Sequence, residues 1–128
     1  MANLVQKYSA QVWFVNVYVT EPHPLAPDIA PMRGVVSEMS YSTMHQPHNY
    51  SARVENARAT LKNVPAGMHL LVDDLSPHDP AGNNPVWCTY GPNPNGAWLI
   101  GTDGKVVLGQ QWFEETAMEA AIQSVVSR

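Results

Sequence analysis

Glu21 and His23 stand two residues apart in Glu21-Pro22-His23-Pro24, where the mostly apolar run 14–19 stops. Carboxyl and imidazole groups are common general acids and bases, so this turn has the makings of an active-site rim. The plainer role is structural, with Glu21 capping a strand end and His23 solvated between its prolines, and it is the role we prefer. A second pair, His45 and His48, would share a metal ion if both lay on one helix face. Pro47 opposes a helix there, and no Cys or carboxylate sits at ligand spacing. We therefore expect no metal and no cofactor, and a polar loop that leads into a helix cap.

Asp73 and Asp74 end the run 68–72, where a carboxylate pair can act as acid and base or bind a cation. A solvated strand end is the simpler reading, and His78 and Asp79 do not change it. Arg53 and Arg58 fall on a predicted helix beside Glu55, as a solvated charged face. Cys88 is the single cysteine, so no intrachain disulfide can form. A thiol becomes a nucleophile beside positive charge or a helix N-terminus, and "VWCTYG" offers neither. A half-buried thiol packed by Trp87 and Tyr90 is expected.

The chain that positions these groups has 128 residues, 45% of them hydrophobic and 14% charged, with a formal net charge of −4. That is enough for one domain, 1–128, with a real core. Lys and Arg are not clustered, which argues against nucleic acid as a partner. No apolar run reaches membrane-spanning length and the first residues lack a signal-peptide pattern. With one cysteine, the expectation is an unprocessed cytoplasmic protein.

Residues 3–8 read as the tail of a helix, and 12–19 as a β-branched and aromatic strand apolar on both faces, hence covered on both. An irregular excursion over 21–48 contains "RGVVSEMSY", a short strand or helical turn. Residues 49–64 read as a helix with Ser51 as N-cap and Val54, Ala57, Arg58 and Leu61 at helical spacing, stopped by Pro65 and Gly67. "MHLLVDD" is a second buried strand, followed by a long loop to Gly96. "AWLIGTDGKVVLGQQW" reads as a hairpin turning at Asp103-Gly104. The last 15 residues form a helix whose stripe is Ala117, Ala121, Ile122, Val125 and Val126, with Glu114 and Glu115 near its positive end. The four tryptophans, Trp13, Trp87, Trp98 and Trp112, are taken as core and interface aromatics. The order gives an α/β fold with a parallel pair joined by a crossover helix, then an antiparallel hairpin and a closing helix.

The segments "LVQKYSAQVWFVNVYVTEPHP", "RVENAR", "LLVDD" and "YGPNPNGAWLIGTDGKV" occur in an order that resembles the iodothyronine deiodinases, a thioredoxin-like family. The resemblance spans nearly the whole chain. It implies an incomplete thioredoxin-like fold, a four-stranded mixed sheet with flanking helices, lacking the family's first strand and nucleophile loop. No selenocysteine is present, and Cys88 lies away from the family's nucleophile position. Glu21, His23 and His48 resemble residues that line the family's active-site crevice, and are the catalytic candidates. Trp13, Tyr90 and Pro94 would line a pocket for a small aromatic, phenolic ligand. Pro94 resembles the proline, often cis, that precedes the hairpin strand in thioredoxin-like proteins.

The absent strand would lie between 12–19 and 97–101, so its loss leaves two edges with unpaired backbone groups. Either those strands pair directly or another chain covers them. The expected protein is a homodimer or higher homo-oligomer built through an exposed strand edge, acting as a binding or assembly domain without redox catalysis of its own. One alternative is an oxidoreductase or deiodinase-type enzyme that uses the Glu21, His23 and His48 crevice with a nucleophile from another chain. The other is a binding module for phenolic ligands.

Overall fold

Most of the apolar runs become strands or helices in the computed structural model, which describes residues 1–30, 35–36, 43–75, 84–91 and 95–127. The order is α1 (Ala2–Tyr8), β1 (Phe14–Tyr18), β2 (Ile29–Ala30), β3 (Val35–Val36) and α2 (Tyr50–Thr60), which runs on into a 3-10 turn (Leu61–Asn63). Then come β4 (Met68–Val72), α3 (Pro85–Tyr90), β5 (Ala97–Ile100), β6 (Val106–Gln110) and α4 (Glu115–Val126). The protein is mixed α/β. It divides into two compact units, one of Met1–Val15, Pro65–His69 and Asn93–Arg128, the other of Asn16–Val64 and Leu70–Pro92. No helix among the described residues is long and apolar enough to cross a membrane.

The described strands form three two-stranded ladders, β1 with β4, β2 with β3 and β5 with β6. This corrects the expected four-stranded sheet. Near one end of the first ladder the rings of Trp13 and His69 stand 5.1 Å apart, and near the other the Asp73 N–H donates to the Tyr18 carbonyl at 2.9 Å. Residue numbers climb together along both strands, so β1 and β4 run parallel, as a crossover connection through α2 requires. The ladders stay separate because β1 and β5 share a core through side chains alone. Phe14 and Leu99 lie in one buried cluster with Leu4, Val5, Met118 and Ile122, yet no described strand hydrogen-bonds to both β1 and β5.

The first unit is built around that cluster. Leu4 and Val5 come from α1, Met118 and Ile122 from α4, and each buried side chain of this size stabilises the fold by roughly 1.5–3 kcal/mol. The α4 stripe is rotated from expectation: Met118 joins Ile122 inside, and Ala117 is exposed. Glu114 caps α4, its carboxylate accepting from the N–H groups of Thr116 at 3.0 Å and Ala117 at 2.6 Å. Those donors, Ala117 first, hold it below the usual carboxylate range. Polar contacts tie α1 to α4, with the Lys7 ammonium 2.9 Å and the Tyr8 hydroxyl 3.0 Å from Glu119 Oε1.

The hairpin turns where the sequence places it, with Gly104 at φ 78° and Asp103 Oδ1 accepting from the Lys105 N–H at 3.1 Å. Leu99 pairs with Leu108 on the core face and Trp98 with Gly109 on the other. The Trp98 indole lies across both strands. A Cβ on Gly96 would stand 2.4 Å from this ring, and one on Gly109 3.0 Å from it, so both glycines clear space for it.

The two-sided burial expected of β1 is corrected, with Phe14 buried, Val15 and Asn16 exposed and Val17 and Tyr18 half-buried. Phe14 points into the core beside α1 and α4, while Trp13 is 83% and Val15 39% exposed. Trp112, at 69%, is likewise outside the core. In the second unit, Ile29 pairs with Val36 and Ala30 with Val35, so the short-strand reading within 33–41 holds at β3. The α2 N-cap is Asn49, whose Oδ1 accepts from the Ala52 N–H at 2.9 Å. Ser51 is the second residue of the helix, two positions past the cap. Arg53 and Ala57, four residues apart, form its buried strip, whereas Leu61 sits in the 3-10 turn and is exposed.

Candidate functional site

Two polar clusters lie in the second unit. The first begins where β1 ends. Gln46 Oε1 accepts from the Thr20 hydroxyl at 2.8 Å and the Glu21 N–H at 3.0 Å, and its Nε2 donates to the Glu21 carbonyl at 3.0 Å. The glutamine amide thus takes the place of a neighbouring strand's peptide and fixes the backbone of Glu21. Asp28 anchors the same loop, its Oδ2 accepting from the Gln46 N–H at 2.8 Å and lying 3.0 Å from His45 Nδ1. The Leu25 N–H donates to the Met44 carbonyl at 2.8 Å. Asn56 on α2 donates to the His45 carbonyl at 3.0 Å.

With its backbone clamped, the Glu21 side chain is left in a half-buried position where Oε1 has no hydrogen-bond partner among the described residues. Burial pushes its carboxyl up to about 7. A carboxyl in that range is half protonated near neutral pH and can give or take a proton. Asp28 behaves oppositely, held below the usual range by the Gln46 N–H and then by His45. His23 is half-buried next to the buried Pro24, and His48 is exposed directly before the α2 cap. His48 lies near enough to lower Asp28 further by its charge. The structure therefore brings the Glu21 and His48 segments together through Gln46 and Asp28.

The second cluster was not legible as a site. Asp73 is 2% and Arg53 1% exposed, which corrects the solvated reading for these two, while Asp74, Glu55 and Arg58 are exposed as expected. Asp73 Oδ1 accepts from the Val86 N–H and Oδ2 from the Trp87 N–H, each at 3.0 Å. It caps α3, within what the sequence suggested was plain loop. The Arg53 guanidinium donates to the carbonyls of Asp73 at 3.2 Å and Asp74 at 3.0 Å. Burial lowers its pKa while the two aspartates raise it. The signal for α3 was present in Asn84-Pro85, a cap residue followed by proline at the first helical position. Nothing local marks Asp73 as its partner.

Cys88 lies on α3 and is exposed, not half-buried. Of the ligand-pocket candidates, Trp13 is exposed in the first unit, Tyr90 is half-buried at the end of α3 in the second, and Pro94 lies outside the described residues, as do His78 and Asp79. The described cis X-Pro bond is Ala26-Pro27. No group of three or more His, Cys, Asp or Glu among the described residues could hold a metal ion.

No protein-family model, curated protein or solved structure matches the chain. Its functional reading rests on its own geometry.

Proposed function

We propose that this chain is a thioredoxin-like, deiodinase-like domain that acts by assembly, with no redox catalysis of its own, and takes an added β-strand from another copy at an open strand edge. The observation that supports it is the pair of separate ladders around one core. β1 pairs with β4 and β5 with β6, while Phe14 and Leu99 are buried together, so each ladder keeps an edge whose peptide groups seek partners. Hydrogen exchange at increasing chain concentration tests this. Amides of β1 or β5 that become protected as the protein self-associates are the expected result; exchange independent of concentration sinks the proposal.

Glu21 favours a second reading, an oxidoreductase or deiodinase-type enzyme whose nucleophile comes from another polypeptide. Its carboxyl, pushed up to about 7 by burial, suits a proton donor, and Gln46 and Asp28 link its segment to that of His48. Turnover with a thiol cosubstrate that disappears in Glu21→Gln and His23→Ala supports this reading, and turnover unaffected by both rules it out.

A further inference from the structure

In the first unit, the start of β1 and the hairpin send their inner residues, Phe14, Leu99 and Leu108, toward the same α1 and α4 side chains. Strand alternation turns outward Trp13, just before β1, Val15 on β1, and Trp98 and Ile100 on β5, and the register shift that pairs Ile100 with Val106 brings Val106 to their side. His69 joins Trp13 by ring contact. Val106 belongs with Trp98 because its Cγ1 approaches the outward position of Gly109. These outer residues include no carboxylate, ammonium or guanidinium, and the nearest charges at the turn, Asp103 and Lys105, are paired with each other at 3.6 Å.

We propose that this outer face is an interface between two copies of the chain, packed face to face and distinct from the strand edges. Three observations favour a second copy over other occupants. Strand faces bearing β-branched side chains and an indole laid across two strands suit sheet-on-sheet packing at about 10 Å. An uncharged face meets its own copy without like-charge conflict, as a two-fold interface requires. The area also fits. Trp13 is 83%, Val15 39%, Ile100 47% and Val106 55% exposed. Counting an aromatic at about 200 Å², these four offer on the order of 400 Å² of apolar surface. A standard dimer buries about 800 Å² per partner, a little over half of it apolar, so the face supplies about what is needed.

Sedimentation velocity of the full chain between about 1 and 100 µM reads the result, a range that separates weak from stable association. The expected outcome is a species of at least twice the chain mass whose dissociation constant rises at least about tenfold in Trp13→Glu and in Ile100→Lys. Both side chains are already in solvent, and circular dichroism of each variant checks that its fold is kept. An oligomer indifferent to both changes overturns the face interface, as does a monomer throughout. Capture of some other polypeptide on this face, with the chain itself monomeric, overturns it too. The edge proposal is judged separately by amide exchange: edge protection with indifferent face variants leaves that reading standing and removes this one, and the reverse pattern does the opposite.

Discussion

The two units bury different chemistry. Leu4, Val5, Phe14, Leu99, Met118 and Ile122 make the interior of the first, whereas the most buried large groups of the second include Arg53, Asp73 and Pro24. Apolar burial is nondirectional and tolerates approximate placement. A buried guanidinium and carboxylate require every partner in position, since each charge left without one is costly. The first unit is held by a pattern and the second by a list of specific contacts.

That contrast is open to direct attack by mutation. Arg53→Ala should have the largest effect, about 4 kcal/mol in urea denaturation, because it strips the carbonyls of Asp73 and Asp74 of their donor and removes the nearby positive charge from the buried Asp73. Ile122→Ala should cost about 3 kcal/mol through the lost transfer energy and the cavity. If Arg53→Ala proves much milder than Ile122→Ala, the second unit is not held by its polar network and the comparison fails.

Glu21 gives the third test. Its folded value is about 7, against an ordinary 4.5, so between those values the folded state binds more protons than the unfolded. Stability contributed by this group is therefore greatest below pH 4.5 and falls as pH rises to 7. The drop is about 2 kcal/mol once partial exposure screens it. Urea midpoints of the wild type and Glu21→Gln across this range check it, the variant losing the slope. Asn49→Ala should have the smallest effect, about 1 kcal/mol, through loss of the α2 cap. It should leave the hairpin's amide exchange unchanged if the units respond separately.

The same division decides what was legible in the sequence. Periodicity and turn chemistry locate α1, β1, β4, the hairpin at Asp103-Gly104 and α4, since each signal is local. The burial of Arg53 was missed because its partners, the carbonyls of residues 73 and 74, lie twenty residues away and leave no trace around it. Gln46 was missed for the same reason, its side chain standing in for a strand beside Glu21. The exposure of Trp13 was misread because an aromatic strand predicts burial on both faces, and which face is covered depends on where distant helices settle. Of the candidate site, residue types were readable and geometry was not.

Asp73 has one more consequence. Its carboxylate receives the amides of Asp74, Val86 and Trp87, three protons held by a side chain and not by a helix or ladder. α3 is only six residues long, too short to persist in isolation, so it should open when that carboxylate lets go. Isotope uptake at Val86 and Trp87 would then keep time with uptake at Asp74, a dozen residues earlier in the chain. The end of one strand and the beginning of a helix would share a single clock.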